Sequence, residues 1–195
     1  QELFPGGVDA SPSSHFKMQE AIVKTKAFIE AGETIIYEAT FQYNGVLAAL
    51  DILVKDEDGW KAYEVKSSTS VSETYINDAA IQYYAIVNSG IDLRNISIVH
   101  INNQYVKQGA IDIQELFTIA SVYDRVQDVL PKIPNQVARF KEVIAKDTVP
   151  EINIGLQCSK PYNCDFKEHC WSHIPENSIF DIANLWTSKK FELYE

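Results

Sequence analysis

The stretch Val46-Leu-Ala-Ala-Leu-Asp51-Ile-Leu-Val54-Lys-Asp56-Glu-Asp58-Gly59-Trp60-Lys-Ala-Tyr-Glu64-Val65-Lys66 decides the fold. Its opening is apolar except for one carboxylate, its middle is the turn-forming Asp56-Glu57-Asp58-Gly59, and its end carries Glu64 and Lys66 two residues apart. Apolar runs on either side of an Asp-Gly turn predict two antiparallel strands, Val46 to Val54 and Trp60 to Ser67. Strand side chains alternate between faces, so Glu64 and Lys66 share one. Registry decides where Asp51 stands relative to them. A two-residue loop of Asp58-Gly59 puts Asp51 opposite Lys66, and a loop of Glu57-Asp58 puts it opposite Glu64. In both cases the three groups share a face, whereas a one-residue slip sends Asp51 to the other side.

A buried ionised carboxylate is costly unless it is paired or holds a cation. Two carboxylates beside an ammonium suit metal-assisted phosphodiester hydrolysis. The oxygens favour a hard cation such as Mg²⁺ or Mn²⁺ with water positions left open, and the lysine stabilises charge developing on phosphorus or orients the attacking water. The competing reading is a solvated Glu-x-Lys ion pair, which leaves the apolar strand around Asp51 unexplained. Glu38 sits in an apolar strand much as Asp51 does, either as an extra ligand or as a structural partner for Lys66.

Outward from this hairpin, Thr34 to Phe41 reads as a preceding strand, completing an antiparallel meander. Before it, Ser13 and Ser14 offer an N-cap for a helix from His15 to Ala31, with Gly32 as its stop. After it, a helix from about Thr74 to Asn88 leads to a strand from Asn95 to Ile101. Residues 114 to 130 and 135 to 146 read as further helices, separated by Pro131 and Pro134.

The chain has 195 residues and 22.0 kDa, enough for one domain with a sizeable core. No apolar run approaches the roughly 20 residues of a spanning helix, and no signal peptide is read, so the expected location is the cytoplasm. The 17 basic and 27 acidic residues give a net charge of −10, the opposite of the usual nucleic-acid binder. Up to Lys66 there are 11 acidic and 6 basic residues, and after it 16 and 11, so neither half is basic. All three cysteines, Cys158, Cys164 and Cys170, lie in one short tail segment, where a secreted disulfide framework is not expected and a local metal site is. Three thiolates are one short of the usual four. The chain starts at Gln1, and we expect it to be a piece of a longer protein.

Asp51, twelve intervening residues and Glu64-Val65-Lys66 resemble the signature of the PD-(D/E)xK nuclease superfamily. Asp78-Ala-Ala-Ile-Gln82-Tyr-Tyr84 resembles the glutamine and tyrosine motif of its RecB-like branch, and His15 the upstream metal-binding histidine. The tail cysteines resemble the closing part of the four-cysteine iron–sulfur staple of RecB-like exonucleases, including CRISPR-associated ones. Ile36-Tyr-Glu-Ala-Thr-Phe41 and Tyr63-Glu-Val-Lys-Ser-Ser-Thr69 resemble a bacterial group in which such a domain precedes further sequence.

This resemblance implies an α/β (α+β) restriction-endonuclease-like core, a central mixed β-sheet flanked by helices. It implies a single nuclease domain over residues 1–195, with 150–195 a cysteine-containing tail packed on it. His15, Asp51 and Glu64 would ligate Mg²⁺ or Mn²⁺ with help from the Val65 carbonyl, and Lys66 would be catalytic. Gln82 and Tyr84 would position DNA phosphate or the lysine. The expected activity is metal-dependent DNA hydrolysis, as an exonuclease on single-stranded ends. Each residue has a plainer alternative: His15 as an exposed first-turn residue, and Tyr84 as a packing residue, since it and Gln82 do not share a helix face.

The tail departs from the family, because the expected upstream cysteine is missing from residues 1 to 40. A [4Fe–4S] cluster would need a fourth ligand from outside this chain, a Cys3His zinc site could use His169 or His173, and three reduced structural cysteines are the remaining choice. Two further function classes compete with the nuclease: a catalytically silent binding or scaffolding module within a larger DNA-processing protein, and a redox or sensing protein built on the cysteine tail.

Overall fold

The structure, a computed structural model, describes residues 1–194. Asp56 pairs with Gly59 across the loop Glu57-Asp58, and the ladder runs back through Ile52–Tyr63, so that one step further Asp51 faces Glu64. Of the two registers open in the sequence, this is the one the turn selects. An Asx-type contact, the Asp58 amide donating to Asp56 Oδ1 at 3.1 Å, holds the loop. Gly59 closes it at φ +129°, where a Cβ would meet Arg94 Cγ at 2.8 Å and the Asp92 carbonyl at 3.2 Å.

The chain divides into two compact units, Gln1–Lys141 and the residues from Glu142 onward. The first contains β1 (Val8–Asp9), α1 (Met18–Ala31), β2 (Ile35–Tyr43), β3 (Val46–Asp56), β4 (Gly59–Lys66), α2 (Glu73–Asn88), β5 (Leu93–Ile101), α3 (Ile113–Leu116), β6 (Phe117–Ser121) and α4 (Tyr123–Val129). The strands form one mixed sheet in the order β1-β2-β3-β4-β5-β6, parallel at β1–β2 and β4–β5 and antiparallel elsewhere. Parallel pairing of β4 with β5 demands a crossover, and α2 supplies it. This is the mixed sheet flanked by helices that the sequence led us to expect. Among the described residues no helix is long and apolar enough to cross a membrane.

α2 lies on the sheet because its buried residues recur at helical spacing: Ile76, Ala79, Ala80, Tyr83 and Ile86. The alanines let the helix approach, and Ile36, Leu50, Leu53, Ile96 and Ile98 fill the sheet side, all fully buried. Each such aliphatic side chain contributes about 1.5–3 kcal/mol. Ser72 caps the helix, its hydroxyl accepting the Tyr75 amide at 3.3 Å.

Two expectations need correction, and one strand was not foreseen. α1 begins at Met18 rather than His15, because Ser13 and Ser14 make other contacts: the Ser13 hydroxyl donates to Glu20 at 2.6 Å, and Ser14 Oγ accepts the Phe16 amide at 3.3 Å. Residues 114 to 130 are not one helix. Asp112 caps only a single turn, and Phe117-Thr-Ile-Ala-Ser121 then pairs antiparallel with β5 as an edge strand. β1, two residues long, carried no periodic signal at all.

The second unit follows α5 (Ile133–Ile144), which begins in the first. It contains α6 (Lys167–Trp171) and α7 (Thr187–Tyr194) with single 3-10 turns at Leu156–Cys158 and Ile179–Asp181. Trp171, Phe180 and Phe191 form its aromatic centre, with ring centroids 4.7–5.9 Å apart.

Candidate active site

Asp51, Glu64 and Lys66 meet on the face of the sheet that α2 covers. Asp51 is half-buried, and its Oδ2 accepts the Val65 amide proton at 2.6 Å. That hydrogen bond takes over where the β3–β4 ladder ends, and it gives Val65 a part in the site through its N–H. Burial pushes the Asp51 carboxyl above its ordinary range, against the pull of the Val65 amide and of Lys66.

Glu64 is only 8% exposed. Its Oε1 accepts from Lys66 Nζ at 2.8 Å, but its Oε2 is buried with no hydrogen-bond partner. Burial pushes this carboxyl up as well; Lys66 and the amide of Gln82 favour its ionised form, and the charge of Asp51 opposes it. Gln82, on α2 and 7% exposed, also has a partnerless oxygen, Oε1. Two buried oxygens left without partners beside a carboxylate pair are unusual, since buried polar atoms are nearly always satisfied.

Lys66 is held from two sides. Its ammonium donates to Glu64 and, at 2.6 Å, to Asp78 Oδ2 on α2, and it lies 5.6 Å from the centroid of the Tyr75 ring. Burial works against its charge, but the hydrogen bonds to Asp78 and Glu64 outweigh it and hold its pKa above the ordinary lysine range. Asp78 is a partner of Lys66 that sequence reasoning missed. The available signal was its position four residues before Gln82, which puts both on one face of α2.

Glu38 stands at the sheet position across from Asp51, where the β2–β3 ladder skips a pair between Tyr37–Ile52 and Ala39–Leu50. Its φ of +56° is left-handed, rare for a side-chain-bearing residue and costing of order 1 kcal/mol or more. The residue is exposed, and partial desolvation, then the charges of Asp51 and Asp9, push its carboxyl up. Tyr84 is buried and packs edge-on against Tyr43, with centroids 5.4 Å apart. His15 is exposed in the segment before α1.

Hard oxygen donors at Asp51 and Glu64, one of them partnerless, fit a hard divalent cation. The protein supplies two carboxylates there rather than a full cage: among the described residues no three His, Cys, Asp or Glu side chains form a metal-ligand group. In the second unit Cys158, Cys164 and Cys170 are free thiols that line one cavity with His169. Three thiols do not fit a four-thiolate cluster.

No family model matches the chain, and no curated protein matches it. Among solved structures, an alkaline exonuclease from Laribacter hongkongensis is similar over 68% of this chain and 73% of its own, at 15% identity and a TM-score of 0.32.

Proposed function

We propose that the cluster of Asp51, Glu64, Lys66 and Asp78 on β3, β4 and α2 is the active site of a divalent-metal-dependent nuclease that hydrolyses DNA phosphodiesters, acting as an exonuclease on single-stranded ends. The observation that carries this reading is the buried, partnerless Glu64 Oε2 beside Asp51 and Lys66. Asp51 and Glu64 would hold the cation. Bound there, Mg²⁺ or Mn²⁺ would supply Lewis-acid polarisation of the phosphate and a more acidic water.

The residues of the chain do the rest. The Val65 amide holds one oxygen of the Asp51 carboxylate, leaving the other for a cation. Lys66, kept charged by its two carboxylate partners, places a positive charge where negative charge develops on phosphorus. The Gln82 amide stands beside Glu64 and favours its ionised form. The net charge of −10 keeps nonspecific DNA affinity low, so binding is expected to be weak and salt-sensitive.

A second reading, a silent module of the same fold, draws on one observation: Lys66 already compensates both Glu64 and Asp78 without a cation. Cleavage of single-stranded DNA with Mg²⁺ or Mn²⁺ separates the two. The nuclease reading expects cleavage that falls by at least about 100-fold in Asp51→Ala and Lys66→Ala. Equal activity in the wild type and both variants would overturn these roles, and no cleavage together with no divalent binding in calorimetry would favour the silent module.

A further inference from the structure

We infer that Asp78 is the positioning residue for Lys66: it anchors the ammonium from α2, so that Glu64 can turn to a cation without losing the lysine from the site. The inference rests on the nuclease reading and adds to it a residue whose part is to hold another.

Lys66 Nζ donates to two carboxylates of different kinds. Glu64, at 2.8 Å, is buried and belongs to the same strand; Asp78, at 2.6 Å, has a side chain 41% exposed and comes from the crossover helix. Only Glu64 carries a buried oxygen with no partner. A divalent cation on Glu64 would compete directly with the ammonium, because both are positive and both draw on the same carboxylate. With Asp78 in place, losing the Glu64 contact still leaves Lys66 one charge-assisted hydrogen bond, together with the face of Tyr75 at 5.6 Å. Without Asp78, the same event would release a four-carbon chain into solvent, at the mouth of a site where a displacement of about 1 Å can cost about 100-fold in rate.

The location of Asp78 explains why α2 is suited to this work. Its packing on the sheet through Ile76, Ala79 and Ala80 fixes the backbone on both sides of Asp78, so the carboxylate is carried by a rigid element rather than a loop. Replacing Asp78 by asparagine leaves the Lys66 ammonium paired with Glu64, so the metal-free protein gains no unpaired charge.

The test follows the lysine ammonium by ¹⁵N NMR in the full chain, with the Lys66 signal assigned by its loss in Lys66→Met, and uses Mg²⁺ as the probe. In the wild type the signal is expected to persist without metal and through saturation with Mg²⁺. In Asp78→Asn it is expected to broaden away when Mg²⁺ is added, and in Asp78→Glu to persist. In parallel, kcat for single-stranded DNA is expected to fall about 10- to 100-fold in Asp78→Asn with KM and Mn²⁺ affinity within about twofold, and to recover largely in Asp78→Glu. A Lys66 signal that survives Mg²⁺ in Asp78→Asn, or an unchanged kcat in a cleaving enzyme, would overturn the role. A wild type that neither binds Mg²⁺ nor cleaves would overturn the nuclease reading instead. In that event the anchor is read without metal in Glu64→Met, where Asp78 alone faces the ammonium: the Lys66 signal is expected to persist in Glu64→Met and to broaden away in Glu64→Met/Asp78→Asn, and a signal equally sharp in both rules the anchor out.

Discussion

The Asp51 carboxylate accepts the Val65 amide proton at 2.6 Å, at the point where the β3–β4 ladder stops after the Ile52–Tyr63 pair. One oxygen of Asp51 is thus committed to holding the strand ends together. The two duties of this carboxylate can be separated by mutation. Asp51→Asn keeps an acceptor for the Val65 amide but removes the charge, so its unfolding free energy is expected to stay within about 1 kcal/mol of wild type while Mn²⁺ affinity drops at least about tenfold. Asp51→Ala leaves the Val65 amide without its partner and is expected to lose about 1–3 kcal/mol as well as the cation. Urea unfolding and calorimetry on the two variants check this. Equal stability losses in both would show that the hydrogen bond does not matter.

Stability should rise on mild acidification. Asp51, Glu64 and Glu38 are all pushed above the ordinary carboxylate range, each by desolvation first. A carboxyl raised by folding holds its proton more tightly in the folded state, so its stabilising contribution is full below the unfolded pKa and is lost as pH rises through the folded one. Asp9 and Glu20 work the other way. Held low by their contacts with Ser11 and Ser13, with Glu20 at about 2, they stabilise above the ordinary range and lose that contribution only in stronger acid. Between pH 7 and about 5 the raised group therefore dominates, and Tm is expected to increase as pH falls. Glu38→Gln is expected to raise Tm at pH 7 and to flatten this slope. A Tm that falls over the same interval, or a slope unchanged in Glu38→Gln, would contradict it.

Gln82 offers a case where function and stability part company. Gln82→Met keeps the volume and removes an amide whose Oε1 has no partner, so stability is expected to be unchanged or to gain up to about 1 kcal/mol. Cleavage is expected to fall about tenfold or more, since Glu64 loses the neighbour that favours its charge. Denaturant unfolding and turnover on one preparation would show the split; a stability loss without a loss of turnover would reverse the assignment.

Tyr84 should behave as a packing residue. Its ring meets Tyr43 edge-on, so Tyr84→Phe is expected to keep both stability and cleavage within about twofold, whereas Tyr84→Ala should cost about 3 kcal/mol or more. A Tyr84→Phe enzyme that folds normally and cleaves about 100-fold more slowly would give the hydroxyl a part in the chemistry.

What the sequence made legible follows from where its signals are local. The hairpin, the shared face of Asp51, Glu64 and Lys66, and the crossover helix all rest on turn chemistry and periodicity within a few residues. β6 did not, because Phe117 to Ser121 is a strand through its partner β5, and the segment flanking it is helical enough to hide it. The start of α1 was misplaced because Ser13 spends its hydroxyl on Glu20 rather than on the helix amides. Asp78 was visible as a letter in the α2 motif but not as a partner for Lys66, since that contact depends on where α2 lies across the sheet. The same holds for Glu38, whose left-handed backbone no local pattern announces.

In the proposed nuclease, Asp51 and Glu64 together hold a divalent cation beside Lys66. Anomalous scattering from crystals grown in saturating Mn²⁺ tests it most directly. A manganese peak is expected within ligand distance of Asp51 and Glu64 oxygens, with the Lys66 ammonium resting on Asp78. A map with no manganese at these carboxylates, from protein that still cleaves DNA in the same buffer, would contradict it.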